Sequence, residues 1–420
     1  MYRIIAAVLA ASSCAQVALA ADIAIAVPER VLTLQEALEK AGAASPAIEA
    51  STAGMRAAAA LRNVAAQRPN PTLVAETENV AGSGPYDGIR SAETTVSLAL
   101  PLERGGKRSA RIAVADAQRG RATLEAAIAA ADLGLRVTQA YTAAAAAQRR
   151  LVTAREQVAI ATEGLRAARL RVAAGKASPI EEQRADVARM NATSAFEQAE
   201  RAVDLALGNL SRLVGIPVTH VDLGWFGRIT GPGPALPLDT AETLAAAAAR
   251  ADLGIASAQA RLSRAQVVPD VTLTAGARRF EVGSDIAAVL GVSIPLRLFN
   301  NGRAAVDVAV AQQDQADALR RLAALDVEQA IAIAKADLAN AETGARNAGG
   351  PALAAAEEAA RIARIGYREG KFGQLDLLDA QRTLLDTRTA AINSLAAYHD
   401  AQARLDRLTA RAPTTMEDNR

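Results

Sequence analysis

Asp376 and Asp379 stand three residues apart in a stretch that reads as helix, so their carboxylates share one face just after a Gly-containing turn. Two carboxylates on one face give that face a negative potential that attracts cations. The plainer alternative is that one of them only matches the dipole of the helix start. Glu76 and Glu78, two apart in a strand-like stretch, also share a face. A metal site there would need more ligands, so they read as a solvated face. Gly105-Gly106-Lys107-Arg108 lacks the spacing of a phosphate-binding loop and reads as a strand-to-helix transition. His220 and His399 are the two histidines and Cys14 is the one cysteine. None has a partner at ligand or nucleophile–base spacing, which argues against disulfides, zinc sites and Cys–His catalysis. These residues predict no catalytic group, no cofactor site and no resident metal: the chain reads as something other than an enzyme.

Composition narrows the class. The 420 residues carry 47 Lys+Arg against 45 Asp+Glu, a formal net charge of +2. That balance lacks the electrostatic footprint of a nucleic-acid partner. Aromatic residues are 3% of the chain while hydrophobic residues are 51%, with Ala prominent among them. Large core side chains are scarce, and an Ala-, Arg- and Glu-rich chain is the material of long, closely packed helices.

Residues 1–20 read as a signal peptide, with Arg3 as a thin positive region, an apolar run, and Ala18-Leu19-Ala20 as a small-x-small cleavage site. The residues before Cys14 lack the usual leucine of a lipidation signal. No later stretch is apolar for the ~18 residues a spanning helix needs. The chain is expected to be exported and, if it enters a membrane, to do so without a helix.

The elements come in duplicate. Arg169-Leu170-Arg171-Val172-Ala173-Ala174-Gly175-Lys176 recurs 195 residues later as Arg364-Ile365-Gly366-Tyr367-Arg368-Glu369-Gly370-Lys371. Ser97-Leu98-Ala99-Leu100-Pro101-Leu102 faces Ser293-Ile294-Pro295-Leu296, and Pro69-Asn70-Pro71-Thr72-Leu73 faces Pro269-Asp270-Val271-Thr272-Leu273. The reading is two repeats, 21–217 and 240–410, joined by a Pro/Gly linker at 218–239 that also holds Trp225 and Phe226, with a polar tail at 411–420. In each repeat a helix of about 30 residues (33–66 and 240–266) precedes two strands, a very long helix, a turn and a closing helix. Thr33 and Glu36 form a capping box. In 91–100, Ala92, Thr94, Val96, Leu98 and Leu100 alternate with Glu93, Thr95, Ser97 and Ala99. In 285–295, Ile286, Ala288, Leu290, Val292 and Ile294 form one apolar face. Period two at this length suits either a transmembrane strand or a soluble hairpin. The long helices, 109–173 and 303–369, would reach about 100 Å, with Gly349-Gly350-Pro351 breaking the second. Four strands cannot close a barrel in lipid, so membrane strands would demand that several chains share one, eight strands from two or twelve from three. The bottom-up reading is an oligomeric tunnel.

The chain resembles the TolC family of outer-membrane efflux proteins. The carriers are the duplicated element order and the stretch from Tyr367 through Gly370-Lys371-Phe372-Gly373-Gln374-Leu375-Asp376-Leu377-Leu378-Asp379-Ala380-Gln381. Asn70-Pro71-Thr72-Leu73, Glu76-Thr77-Glu78-Asn79 and Leu102-Glu103-Arg104-Gly105-Gly106-Lys107-Arg108 are similar to the CzcC-type branch, which serves heavy-metal exporters. The resemblance implies a mainly α fold with a small β part: a long α-helical barrel over a shared transmembrane β-barrel, four strands per chain. It implies a homotrimer in the outer membrane of a Gram-negative bacterium, with a periplasmic helical tunnel. Its partners would be outer-membrane lipid, a periplasmic adaptor (membrane fusion protein) and an inner-membrane transporter of the resistance–nodulation–division (RND) class. Asp376, Asp379 and Tyr367 would line the gate or lumen, six carboxylates ringing a closed trimeric tip. Phe372 stands where some members have a basic residue. Gly175, Lys176, Ala177 and Ser178, with Gly370, Lys371, Phe372 and Gly373, would be the tips that meet adaptor or pump. The cargo is expected to be heavy-metal cations. A multidrug or type I secretion channel, and more distantly a periplasmic coiled-coil adaptor, are the other readings.

Overall fold

The structure, a computed structural model, describes residues 31–230 and 239–413. The signal segment with Cys14, the Gly231-Pro232-Gly233-Pro234 run, Pro237 and the tail from 414 onward lie outside the described residues. Among the described residues, no helix is long and apolar enough to cross a membrane.

The first half runs β1 (Val31–Leu32), α1 (Leu34–Ala44), α2 (Pro46–Ala66), β2 (Thr72–Glu78), β3 (Glu93–Leu102), α3 (Lys107–Ala173) and α4 (Pro179–Val214). Then come β4 (His220–Val221) and α5 (Leu223–Phe226). The second half repeats the order as α6 (Leu244–Gln266), β5 (Val271–Phe280), β6 (Ile286–Ser293), α7 (Arg303–Gly349), α8 (Pro351–Arg368) and α9 (Gln374–Thr409). With 67 residues, α3 is about 100 Å long.

Local chemistry explains the boundaries. The Thr33 hydroxyl accepts from the Glu36 N–H at 3.2 Å while the Glu36 carboxylate accepts from the Thr33 N–H at 3.3 Å, the expected capping box. The single helix expected over 33–66 is two, α1 and α2. Ser45 precedes Pro46, whose ring excludes helical backbone at Ser45 (φ −82°, ψ 118°). The helix expected from 240 begins at Leu244 instead. Thr240–Glu242 is a short 3-10 turn, and the Thr243 hydroxyl takes the cap by accepting from the Ala246 N–H. Gly349-Gly350-Pro351 divides α7 from α8, as the sequence indicates.

The two strand pairs join into one antiparallel sheet in the order β2-β3-β5-β6. Its register sorts the side chains by parity. Leu73, Leu98, Ala275 and Leu290 lie in one row across the sheet, and Leu100, Leu273 and Val292 in the next row of the same face. On the opposite face Glu76, Thr95 and Arg278 share a row, as do Thr72, Ala99, Thr274 and Gly291. The apolar face is the exposed one, Leu290 being 83% accessible, whereas Ser97 on the polar face is buried. Arg278 binds the polar face together: it donates to Glu93 at 2.8 Å and Thr95 at 2.9 Å and pairs with Glu78 at 3.2 Å. This assigns Glu76 and Glu78 to the polar face, Glu78 with a cationic partner. Among the described residues, no strand lies beside the outer edges of β2 and β6.

The main core lies midway along the helices, where the 218–230 stretch packs on α3, α4 and α9. The parallel pair β1–β4, which nothing in the sequence announced, closes it. Tyr141 is its pivot: its hydroxyl donates to the Leu32 carbonyl and accepts from the Asp222 N–H, both at 2.8 Å. Burial pushes its pKa up to about 12, so it remains a donor across the physiological range. Tyr141→Phe is expected to cost about 1–2 kcal/mol, because the Asp222 N–H keeps a second acceptor in Leu32 at 3.2 Å and only part of the network is orphaned. Urea unfolding of the purified protein reads that cost.

Trp225 and Phe226, in the stretch read as a linker, pack on this core. Trp225 stacks on His399 at 4.1 Å and meets Tyr141 edge-on at 5.2 Å. His399 Nε2 bonds the Phe226 carbonyl at 2.9 Å. Burial lowers the His399 pKa below its usual 6.5. The folded state therefore prefers neutral imidazole, and the unfolded chain binds more protons just below 6.5. Stability is expected to be full above that pH and to fall as pH drops below it. His399→Gln should flatten this slope in thermal melts taken across the acidic range.

Candidate functional site at the helical tip

The end of the molecule far from the sheet is made by two turns, α3 to α4 and α8 to α9. Both are built alike. The Gly175 N–H donates to the Val172 carbonyl at 2.9 Å and the Lys176 N–H to the Arg171 carbonyl at 2.9 Å. In the second turn, Gly370 donates to Tyr367 at 3.1 Å and Lys371 to Gly366 at 2.8 Å. Gly175 (φ +67°) and Gly370 (φ +72°) occupy the left-handed position that ends a helix in this motif, where a Cβ is costly. Lys176, Ser178, Lys371 and Gly373 are exposed at the ends of these turns, Phe372 is partly so, and Ala177 is half-buried. The Phe372 ring lies over Gly366, where an added Cβ would come within 2.1 Å of it.

The counterpart of Asp376 in the first repeat is Glu181, each at the third position of the helix after its turn. Their roles differ. Asp376 turns back on its own helix, accepting from the Gly373 N–H at 2.9 Å, and remains exposed. Asp379 is exposed one turn further on. Glu181 instead bridges the two hairpins. It accepts from the Tyr367 hydroxyl at 3.4 Å and pairs with Arg171 at 3.9 Å. Its backbone carbonyl takes the Gln374 side-chain amide at 2.6 Å. The Arg171 guanidinium sits over the Tyr367 ring, 4.7 Å from its centre, and donates to the Tyr367 carbonyl at 3.3 Å. Tyr367 is buried, and burial followed by the nearby Glu181 charge raises its pKa, which keeps the hydroxyl protonated to donate.

The site thus has two parts. Arg171, Glu181, Tyr367 and Gln374 clasp the first hairpin to the second. Asp376 and Asp379 present carboxylates on the exposed start of α9. Of the sequence-indicated trio, Tyr367 belongs to the clasp and the two aspartates do not touch it. Arg171 and Glu181 were not singled out in the sequence. The signal was available in the repeat, which sets Arg171 against Gly366 and Glu181 against Asp376, two of the many positions at which the halves differ. No reactive pair and no covalent chemistry emerge from this arrangement. It ties the two hairpins together and leaves two carboxylates exposed at the start of α9. Among the described residues there is no group of three or more His, Cys, Asp or Glu placed to hold a metal ion.

The comparisons agree with this architecture. The outer membrane efflux protein profile matches residues 37–216 and 238–411. The cobalt-zinc-cadmium resistance protein CzcC of Cupriavidus metallidurans is 30% identical over 351 residues, 82% of this chain and 81% of that protein. The nickel and cobalt resistance protein CnrC of the same organism is 32% identical over 307 residues, 71% of this chain and 73% of that one. Among solved structures, a membrane protein from Pseudomonas aeruginosa superposes with a TM-score of 0.77 at 21% identity, covering 90% of both chains. CusC superposes at 0.74 with 17% identity, over 90% of this chain and 92% of that one. At such identities these structures speak for the fold alone, a TolC-like channel. With two profile matches spanning most of its length, an open-edged sheet and long paired helices, the chain belongs to the outer membrane efflux protein family.

Proposed function

We propose that the chain is the outer-membrane exit duct of a tripartite heavy-metal efflux system. The observation that carries this reading is the sheet: apolar outward, polar inward, and open at both edges. An open sheet in lipid leaves edge N–H and C=O groups unpaired at several kcal/mol each, so neighbouring copies must supply the missing strands. Three copies give twelve strands, and their helices continue the barrel as a periplasmic tunnel. The chain is passive: the energy comes from an inner-membrane RND transporter, joined through a periplasmic adaptor that meets the turns at Gly175–Ser178 and Gly370–Gly373. Asp376 and Asp379 line the narrow end. In this reading 1–20 is removed on export, 21–217 and 240–410 are the two repeats, and 218–239 links them. The cargo is taken to be divalent cobalt, zinc or cadmium or a copper/silver-class ion, on the strength of the relatives' names and the CzcC-like motifs.

The test is growth of a deletion strain on zinc, cobalt, cadmium, nickel, copper and silver beside a panel of dyes and detergents. The wild-type gene and an Asp376→Ala/Asp379→Ala version are added back in parallel. Sensitivity confined to metals and rescued by the wild type is expected and names the ion. Sensitivity to dyes and detergents without a metal effect overturns the metal assignment in favour of a multidrug channel.

A further inference from the structure

The apolar face of the sheet does not stop where the strand does. β6 ends at Ser293, yet the alternation of Ile286, Ala288, Leu290 and Val292 runs on through Ile294, Leu296 and Leu298. Leu296 is 79% and Leu298 78% accessible, and Phe299 in the bend that follows is fully exposed. Three large apolar side chains so close together in water are costly to leave uncovered.

The segment is nonetheless held in place at both ends. Arg297, of the opposite parity, remains exposed but donates to the Gln266 carbonyl at the end of α6. Beyond the bend, the Asn300 side chain accepts from the Gly302 N–H and the Asn301 side chain from the Arg303 N–H, both at 3.0 Å. These turns deliver the chain into α7. In the first repeat the corresponding place, two residues beyond Leu102, is taken by exposed Arg104, and Arg303 is exposed at the start of α7. Exposed leucines and exposed guanidinium groups therefore share one level, just past the tunnel-side end of the sheet.

We infer that Leu296, Leu298 and Phe299 anchor the channel in the membrane leaflet that faces the helices, with Arg104 and Arg303 at the level of the lipid phosphates. This inference rests on the outer-membrane reading above. Two observations choose phospholipid over another protein as the occupant. The alternation of Ile294, Leu296 and Leu298 continues in sequence from the apolar face of the sheet, and Leu296, Leu298 and the adjoining Phe299 are all exposed. A second copy beside β6 would pair with its edge, in the plane of the sheet, and would leave that face uncovered. The anchor also accounts for the small aromatic complement, 11 Phe, Tyr and Trp in the whole chain, which is too few for the double aromatic belt common in membrane barrels. Arginine heads reach phosphates while their stems lie along apolar surface.

The test uses the chain's single tryptophan. In a Trp225→Phe background, Leu298→Trp and, separately, Phe299→Trp place one reporter in the segment, and Leu290→Trp places one in mid-sheet. Each assembled channel is reconstituted into vesicles of phosphatidylethanolamine and phosphatidylglycerol containing lipid brominated near the glycerol end or near the methyl end of its chains. Loss of Leu290→Trp emission, together with loss of emission at 298 or 299 that is stronger with the glycerol-end bromine, is the expected result. Quenching at 290 but at neither 298 nor 299 overturns the anchor. Blue-shifted emission would then mark cover by a neighbouring copy, and red-shifted emission would mark water. No quenching at 290 overturns the membrane reading itself. The substituted segment residues are exposed, so folding is insensitive to them. Should Trp225→Phe weaken the core, the same reading is taken as a difference from the unsubstituted protein.

Discussion

Arg171→Ala is expected to leave the assembled channel leaky at its helical end. Arg171 does three things there: it pairs with Glu181 at 3.9 Å, lies 4.7 Å from the centre of the Tyr367 ring, and donates to the Tyr367 carbonyl at 3.3 Å. Its side chain is 28% accessible and that of Glu181 22%, so solvent screens these contacts less than it would on an open surface. Together they amount to about 2 kcal/mol. If the closed tip is the clasped one, losing that much in each protomer shifts the open-to-closed ratio roughly thirtyfold per protomer. Single-channel conductance in planar bilayers should rise, and cells carrying the variant should become sensitive to a bulky antibiotic that the outer membrane normally excludes. Arg171→Lys should fall between, since an ammonium keeps the charge but loses the flat face that stacks on Tyr367 and the fork that reaches its carbonyl. Conductance equal to wild type for the Ala variant would mean that the clasp is structural and that the gate lies elsewhere.

The parts of this molecule that could be read from the sequence are those that repeat a short period many times. Ten residues of alternation in β3 and 67 residues without proline in α3 each carry their own evidence. Thr33 with Glu36, and Gly349-Gly350-Pro351, are local signals whose chemistry acts within a few residues. The division at Ser45 was legible in the same way, since Pro46 announces it, but the apolar pattern runs across the break. The pair β1–β4 is two residues on each strand and leaves no period to detect. The clasp was hidden for a different reason. Arg171 and Tyr367 are 196 residues apart, and in a chain with so many Arg and Glu an individual pair reads as solvated surface. The two aspartates stood out because they share a face at short spacing. That made them visible without showing that Asp376 would spend one oxygen on its own helix cap, or that its counterpart Glu181 would hold the hairpins together.

Neighbouring residues 98 and 99 give the sharpest test of how the sheet meets the membrane, because parity alone separates them. Leu98 lies in the apolar row with Leu73, Ala275 and Leu290, near the middle of the sheet. Ala99 lies on the polar face beside Thr72 and Thr274. A strand of 10 residues tilted as barrel strands are spans about 25 Å, the height of the apolar band of such barrels, so on the proposed outer-membrane reading Leu98 falls near the lipid midplane. Leu98→Arg should therefore cost about 2–4 kcal/mol in each chain, a cost that recurs in every copy of the barrel. Ala99→Arg puts the same guanidinium into the lumen, where water and the carboxylates of Glu76, Glu78 and Glu93 share its face. The expected outcome is loss of assembled, heat-modifiable oligomer from the outer-membrane fraction for Leu98→Arg, with near-normal assembly for Ala99→Arg. The second variant should also pass fewer cations relative to anions, read as a shifted reversal potential across a salt gradient. If the two variants assembled equally well, the sheet would not be a lipid-facing wall, and the argument that other copies must complete it would lose its physical cause. If Ala99→Arg were the one that failed, the faces would be reversed. The polar ladder around Arg278 would then face lipid, which no arrangement of its carboxylates could tolerate.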